Sequence, residues 1–202
     1  MANKAAPVVA PNRCASLPAD IATPRLILRA LLPVVDAALS GDVQEASRRL
    51  AAQIPDDLLR DPQVLTLARD RLLADSAYGP WSPRAAILAD GNTMIGHIGF
   101  HTCPDPEYLR PFSRGAVEVG YTVFEAYRRR GYAREALVAI MEWATTECGI
   151  RNFIASASPD NLASLVVLHG LQFAKVGSHI DEHDGPEDIF LRRIEPTSPT
   201  AS

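Results

Sequence analysis

The sequence predicts a mixed α/β (α+β) domain, and three patterns carry that prediction. A period-two strand over Val117–Val123 runs through a basic glycine turn into an amphipathic helix. Helical periodicity fills positions 33–78, between a first strand and all the others. A further strand, a short helix and a hairpin then follow the long helix, which makes one β-helix-β crossover in an otherwise mixed set of strands. The chain has 202 residues, 47% apolar and 22% charged, which fits one domain with a sizeable core. Its net charge of −4 offers no broad electrostatic reason to bind nucleic acid. No apolar run approaches the roughly 20 residues needed to cross a bilayer, and no signal-peptide segment opens the chain, so a cytoplasmic protein with no membrane or nucleic-acid partner is expected.

Residues 1–22 are rich in Ala and Pro with little periodicity and are expected to form a disordered arm. Thr23-Pro24-Arg25 opens a strand over Arg25–Leu31, with Leu26 and Leu28 on one face. Pro33 suits a first helical position, and Asp42 with Glu45 makes a capping box for a helix running to Ala52. After the break at Pro55, Asp61-Pro62 starts a helix with Val64, Leu65, Ala68, Leu72 and Leu73 on one face. Ala85–Leu88 and Thr93–Phe100 flank an Asp90-Gly91-Asn92 turn and read as a hairpin. Gly96 and Gly99 weaken its second strand unless something approaches closely, which marks them as candidate pocket wall. His97 and His101 share a face there, and His97 is held as a reserve proton acceptor. The loop from Thr102 to Gly115 is long for a compact domain, a length typical of lids and binding loops. Asn152–Ser158, a short helix over Leu162–His169, and a hairpin of Phe173–Ile180 with Ile189–Ile194 complete a single domain over 23–194. The tail over 195–202 is expected to be loose.

Three cysteines, Cys14, Cys103 and Cys148, are an odd number at wide spacing, against a disulfide framework or a zinc cluster. Cys148 falls on the apolar face of the long helix and reads as a small core residue. Cys103 has no neighbour in sequence that would lower its pKa, so it is not expected to be a nucleophile. His179, Asp181, Glu182, His183 and Asp184 straddle a hairpin turn and read as solvated charges, and no metal is assigned.

The stretch around Gly131 has a chemical use. Val117, Val119, Tyr121 and Val123 alternate with Glu118, Gly120 and Thr122, so a carboxylate stands opposite the apolar face. The following helix gathers Leu137, Ile140, Met141, Ala144 and Cys148 on one side. Its first turn carries N–H groups without partners and a partial positive charge, which suits an anion. Gly131 lets a phosphate approach, small Ala133 keeps the next turn open, and the arginines add charge. An ordinary helix start with solvated arginines has the same composition.

In context, Arg128-x-x-Gly131-x-Ala133 resembles the pyrophosphate-binding signature (Q/R-x-x-G-x-G/A) of the GNAT superfamily of acetyl-CoA-dependent N-acetyltransferases. Thr23 to Arg29, Glu118-Val119-Gly120-Tyr121 and Asn161-x-x-Ser164 are similar to its RimJ/RimL-like branch, and the resemblance runs from about Thr23 to Arg193. It implies a mixed, mostly antiparallel central sheet flanked by helices, splayed between the strands at 117–124 and 152–158. Backbone N–H groups freed there would meet a thioester carbonyl. It further implies acetyl-CoA as co-substrate, held by Val123, by the run Arg128, Arg129, Arg130, Gly131, Tyr132, Ala133 and Arg134, and by Asn161 and Ser164. The acceptor would be a peptide or small-molecule amine, attacking directly in a ternary complex on a monomer or homodimer, with the early helices shaping its pocket.

Under that resemblance Glu118 is the candidate for deprotonating or holding the amine, and Ser164 is the nearest donor to the sulfur. Asn161 would bond the pantetheine arm, and its position equally suits a helix cap. A lysine amine near ~10.4 lies about six pKa units above an ordinary glutamate, and an α-amine near ~7.7 cuts that gap by more than two units. Weakly basic amines or N-termini are therefore the easier substrates, and Glu118→Gln is expected mainly to lower kcat. Gly120 permits a bulge in the strand. Many relatives place a tyrosine acid seven residues after this asparagine, where this chain has Leu168, and the usual Gly-Phe is here Gln172-Phe173. That departure gives weight to an alternative, a non-catalytic acetyl-CoA/CoA-binding regulatory module. A different nucleotide-binding protein is disfavoured, because neither GxGxxG nor GxxxxGK[ST] is present.

Overall fold

The structure is a computed structural model and describes residues 19–60, 62–181 and 185–195. Most of the predicted arm and tail, and Glu182, His183 and Asp184 of the acidic cluster, lie outside the described residues. The strands are β1 (Ile21–Ala22), β2 (Leu26–Ala30), β3 (Arg84–Leu88), β4 (Met94–Phe100), β5 (Ala116–Val123), β6 (Asn152–Ala157), β7 (Ala174–Asp181) and β8 (Gly185–Arg193). The helices are α1 (Val35–Leu39), α2 (Val43–Leu50), α3 (Asp56–Arg60), α4 (Gln63–Ala74), α5 (Tyr132–Cys148) and α6 (Leu162–Gly170). One eight-stranded sheet runs β1-β2-β3-β4-β5-β6-β8-β7, antiparallel throughout except at β5–β6.

Helices cover both faces because the sheet is apolar on both. On one side Leu137, Ile140, Met141 and Ala144 of α5 pack with Leu26, Leu28, Ile95, Val117, Val119 and Phe153, and Leu168 of α6 joins them. On the other, Leu50, Leu58 and Leu65 pack with Ala85, Ile87, Met94 and Phe124. The expected cap of α2 is present, with the Glu45 amide donating to Asp42 Oδ1 at 3.0 Å. In α4, Leu65, Ala68 and Leu72 repeat at helical spacing, but Leu73 is turned about 100° off that stripe and is 79% exposed, which corrects the predicted face. The final hairpin also differs, since β8 begins at Gly185 rather than Ile189. Cys148 packs beside the core as predicted, yet it is disulfide-bonded, contrary to the reading from cysteine number.

Two features of the sheet position the site. The β5–β6 ladder pairs only Ala116–Glu118 with Asn152–Ile154, so the strands part beyond Glu118. That is the expected splay. The β4–β5 register, by contrast, runs unbroken through Gly99↔Gly120, so Gly120 makes no bulge. A Cβ at Gly120 would lie 2.3 Å from His101 Nε2, and the glycine is there to admit that ring.

Candidate functional site

A cleft of about 900 Å³ opens at the splay. Glu118 stands at the last paired position of β5 and is 5% exposed. Its Oε1 accepts from Ser156 Oγ at 2.6 Å, and its Oε2 accepts from Tyr108 Oη at 2.7 Å and faces His101 Nδ1 at 3.4 Å. Burial pushes this carboxyl up. The hydrogen bond and charge of His101, then Ser156 and Tyr108, overcome that and hold it down to about 2. A buried carboxylate is tolerated here because each oxygen has a donor.

Sequence reasoning missed three of these partners. Tyr108 comes from the loop 102–115, which is anchored by Asp105 to the Gly115 amide at 2.7 Å and packs Leu109 against Ala116 and Ile154. Ser156 comes from β6. His101 takes the place near Glu118, whereas His97 lines the same cleft with its ring edge-on to Phe124 at 6.5 Å. The shared face of the two histidines was the signal available, and only the tertiary pairing separates them.

Strand geometry also supplies donors. The Glu118 carbonyl accepts from the His101 amide and the Phe124 amide donates to the Ile95 carbonyl, so even-numbered backbone groups of β5 face β4. The odd-numbered N–H groups of Tyr121 and Val123 therefore face the β6 side, past the end of the ladder. These donors are aimed into the gap.

At the start of α5, Gly131 has φ +80° and Arg129 φ +60°, a left-handed pair that turns the chain into the helix. Among the described residues, the amides of Arg129 to Arg134 donate to no backbone carbonyl. The loop is braced rather than loose. Arg25 Nη1 donates to the Arg130 carbonyl at 2.9 Å and Arg25 Nε to Glu135 Oε2 at 2.7 Å, while Thr23 Oγ1 donates to Glu135 Oε1 at 2.6 Å. The predicted arginines divide in role. Arg128 Nε donates to the Val123 carbonyl at 2.9 Å, and Arg130 lies over the Tyr127 ring at 5.9 Å. Arg129 and Arg134 are exposed. The Tyr132 ring lies under Arg25 at 4.6 Å.

Glu118, Asn161 and Ser164 line the main cleft together. Arg129 to Arg134 and Ala133 do not. Nor do they line the smaller cleft of about 190 Å³ that Thr122 and Arg128 border; they form the largely exposed start of α5. An exposed, N–H-rich turn suits an anionic group, and the cleft beyond the splay suits an apolar arm. Asn161 Oδ1 accepts from the Ser164 amide at 3.1 Å, so the cap reading holds. Cys103 is inert: burial, then the hydrogen bond and charge of Asp75, push its thiol up to about 11. Among the described residues no helix is long and apolar enough to cross a membrane.

The site joins a sheet splayed between β5 and β6 to a helix start rich in free N–H groups. The profile described as "Acetyltransferase (GNAT) domain" matches residues 25–174, and the chain belongs to that family. The chain is 31% identical over 91 residues to the uncharacterized N-acetyltransferase YnaD of Bacillus subtilis (strain 168), a match covering 45% of this chain and 49% of that protein. The chain thus spans about half the length of that relative. It is 25% identical over 154 residues to the uncharacterized N-acetyltransferase YjdG of the same organism, covering 75% of this chain and 87% of that protein. Among solved structures it shares the fold of RimL, a ribosomal L7/L12 α-N-protein acetyltransferase in complex with coenzyme A, with a TM-score of 0.59 and 20% identity over 87% of this chain and 98% of that one. The family uses acetyl-CoA as acetyl donor.

Proposed function

We propose that this protein transfers an acetyl group from acetyl-CoA to a primary amine, a protein N-terminus or a small-molecule amine, by direct attack in a ternary complex. The observation that carries the reading is Glu118, a buried carboxylate at the point where β5 and β6 part, with imidazole and hydroxyl groups around it. The diphosphate would lie against the amides of Arg129 to Arg134, with Gly131 and Ala133 leaving room and the arginines adding charge. The pantetheine arm would run past Val123 toward Asn161 and Ser164, and the thioester carbonyl would face the free N–H groups of Tyr121 and Val123.

The low pKa of Glu118 refines its role. A carboxylate held at about 2 lies roughly 6 units below an α-ammonium near ~7.7, about 8 kcal/mol uphill, and roughly 8 units below a lysine ammonium near ~10.4. Direct proton abstraction is costly. Glu118 instead holds the incoming ammonium by charge and orients His101, whose Nδ1 stands 3.4 Å from it, so that the imidazole is at hand beside the docked amine. This supports a preference for α-amines and other weakly basic amines as acceptors.

The second reading, a CoA-binding module without turnover, draws on Leu168, a 1% exposed apolar residue where a tyrosine acid is common in the family. Thiol release from acetyl-CoA with a panel of amines and N-terminal peptides tests both. Turnover with at least one α-amine is expected, and CoA binding without turnover across the panel refutes the enzymatic reading.

A further inference from the structure

We propose that Tyr121 is the acid that protonates the departing thiolate, working from the face of the sheet opposite Glu118. The inference rests on the acetyl-transfer reading above. Its starting observation is an anomaly: the Tyr121 hydroxyl is buried and has no hydrogen-bond partner among the described residues. Buried polar groups without partners are few in folded proteins, and each one kept calls for an explanation. Only one other such side-chain atom occurs among the described residues, on Arg84, away from the cleft.

Placement supplies the explanation. Successive side chains of a strand point to opposite faces. Ala116 packs with Ile154 and Leu109 on the Glu118 side, whereas Val117, Val119 and Tyr121 pack on the side of α5 and α6. Tyr121 lies three residues beyond the last paired position, so its ring flanks the open gap, and it lines the cleft with Asn161, Ser164 and Leu168. An amine held by Glu118 thus enters from one face and the sulfur leaves toward the other. Burial raises the Tyr121 pKa, and a weak interaction with the Ser164 hydroxyl, short of full hydrogen-bond geometry, opposes that rise. The phenol therefore keeps its proton until a base arrives.

Rival acids on that face are weaker. Leu168 has no proton to give, and the Asn161 carbonyl oxygen is engaged in its cap. A phenol lies only about one and a half pKa units above a thiol, a small step that a serine hydroxyl cannot match. The other tyrosine of the cleft, Tyr108, is committed to Glu118 at 2.7 Å, which with burial drives its pKa up. Keeping the two tyrosines on opposite faces separates the group that takes the ammonium proton from the group that supplies the thiol proton.

The step balances without any added reactant. The amine nitrogen bonds to the carbonyl carbon, the C–S bond breaks with its electron pair on sulfur, and sulfur takes the Tyr121 proton. The phenolate regains a proton from solvent past Ser164. On the Glu118 face the nitrogen loses two protons, one as the ammonium before attack and one as the amide forms; reprotonation of the phenolate takes up one, so one proton is released net per turnover.

Tyr121→Phe tests this, read in four ways on the intact chain: kcat with acetyl-CoA and a turned-over amine, CoA affinity by calorimetry, thermal midpoint, and the kcat–pH profile. We expect kcat to fall about 10²-fold, in the range for loss of a general acid. CoA affinity should stay within about twofold and the midpoint should stay close to that of wild type, because the hydroxyl has only a weak interaction with Ser164 to lose. The alkaline limb of the profile should also change. A kcat within about threefold of wild type overturns the inference, as does a loss of CoA affinity or a lowered midpoint that accounts for the lost rate. Wild type that binds CoA but turns over no amine refutes the acetyl-transfer reading itself, and the inference with it.

Discussion

Replacing Glu118 by Gln keeps the shape of the side chain and removes its charge. In the wild type that charge is 5% exposed and bonded to Ser156 and Tyr108 at 2.6 and 2.7 Å. An ammonium docked about 4 Å from it, at an effective dielectric constant of about 20, gains roughly 4 kcal/mol, equivalent to about 10³-fold in binding. The assay is thiol release at saturating acetyl-CoA with the amine varied. If Glu118 holds the ammonium, the variant should show a raised KM for the amine and a kcat/KM lower by about 10²- to 10³-fold, with the KM for acetyl-CoA unchanged. This differs from the kcat-dominated loss expected of a direct base, and the split decides between the two roles. A kcat/KM within threefold of wild type, or a defect confined to acetyl-CoA, refutes the reasoning.

Three further outcomes follow from the same geometry. The folded pKa of Glu118 lies below its ordinary 4.5, so its contribution to stability is present above about pH 4.5 and is lost as pH falls toward about 2. That contribution is on the order of 3 kcal/mol, and urea midpoints of wild type should fall toward those of Glu118→Gln over that window; parallel profiles contradict the assignment. Gly120→Ala puts a methyl 2.3 Å from His101 Nε2 and must displace that ring, so kcat/KM should drop by about 10²-fold while CoA affinity is kept. Unchanged kinetics remove His101 from the site. Gly131→Glu forces a side chain into a φ of +80°, at about 1–2 kcal/mol, and sets a carboxylate against the diphosphate. CoA affinity measured by calorimetry should fall by at least about 10²-fold, and retained binding places the diphosphate elsewhere.

Much of this protein is written in short-range pattern. The alternation through Val117–Val123, the stripe of Leu137, Ile140, Met141 and Ala144, and the glycine between them identify strand, turn and helix from neighbouring residues, because periods of 2 and 3.6 are local properties of the backbone. The same stretch singled out Glu118 and Gly131, and Asn161 was legible as a cap. What surrounds Glu118 was not legible. Tyr108, His101 and Ser156 are separated from it by 10, 17 and 38 positions and arrive on a loop, just past the end of β4, and on β6. The disulfide at Cys148 and the outward turn of Leu73 are of the same kind, as is the Arg25 brace on the turn at Arg130, which spans 105 positions. Chain order set which side chains could share a face; the order of strands in the sheet, and the place where β5 parts from β6, decided which of them meet, because hydrogen bonds and burial depend on distance through space.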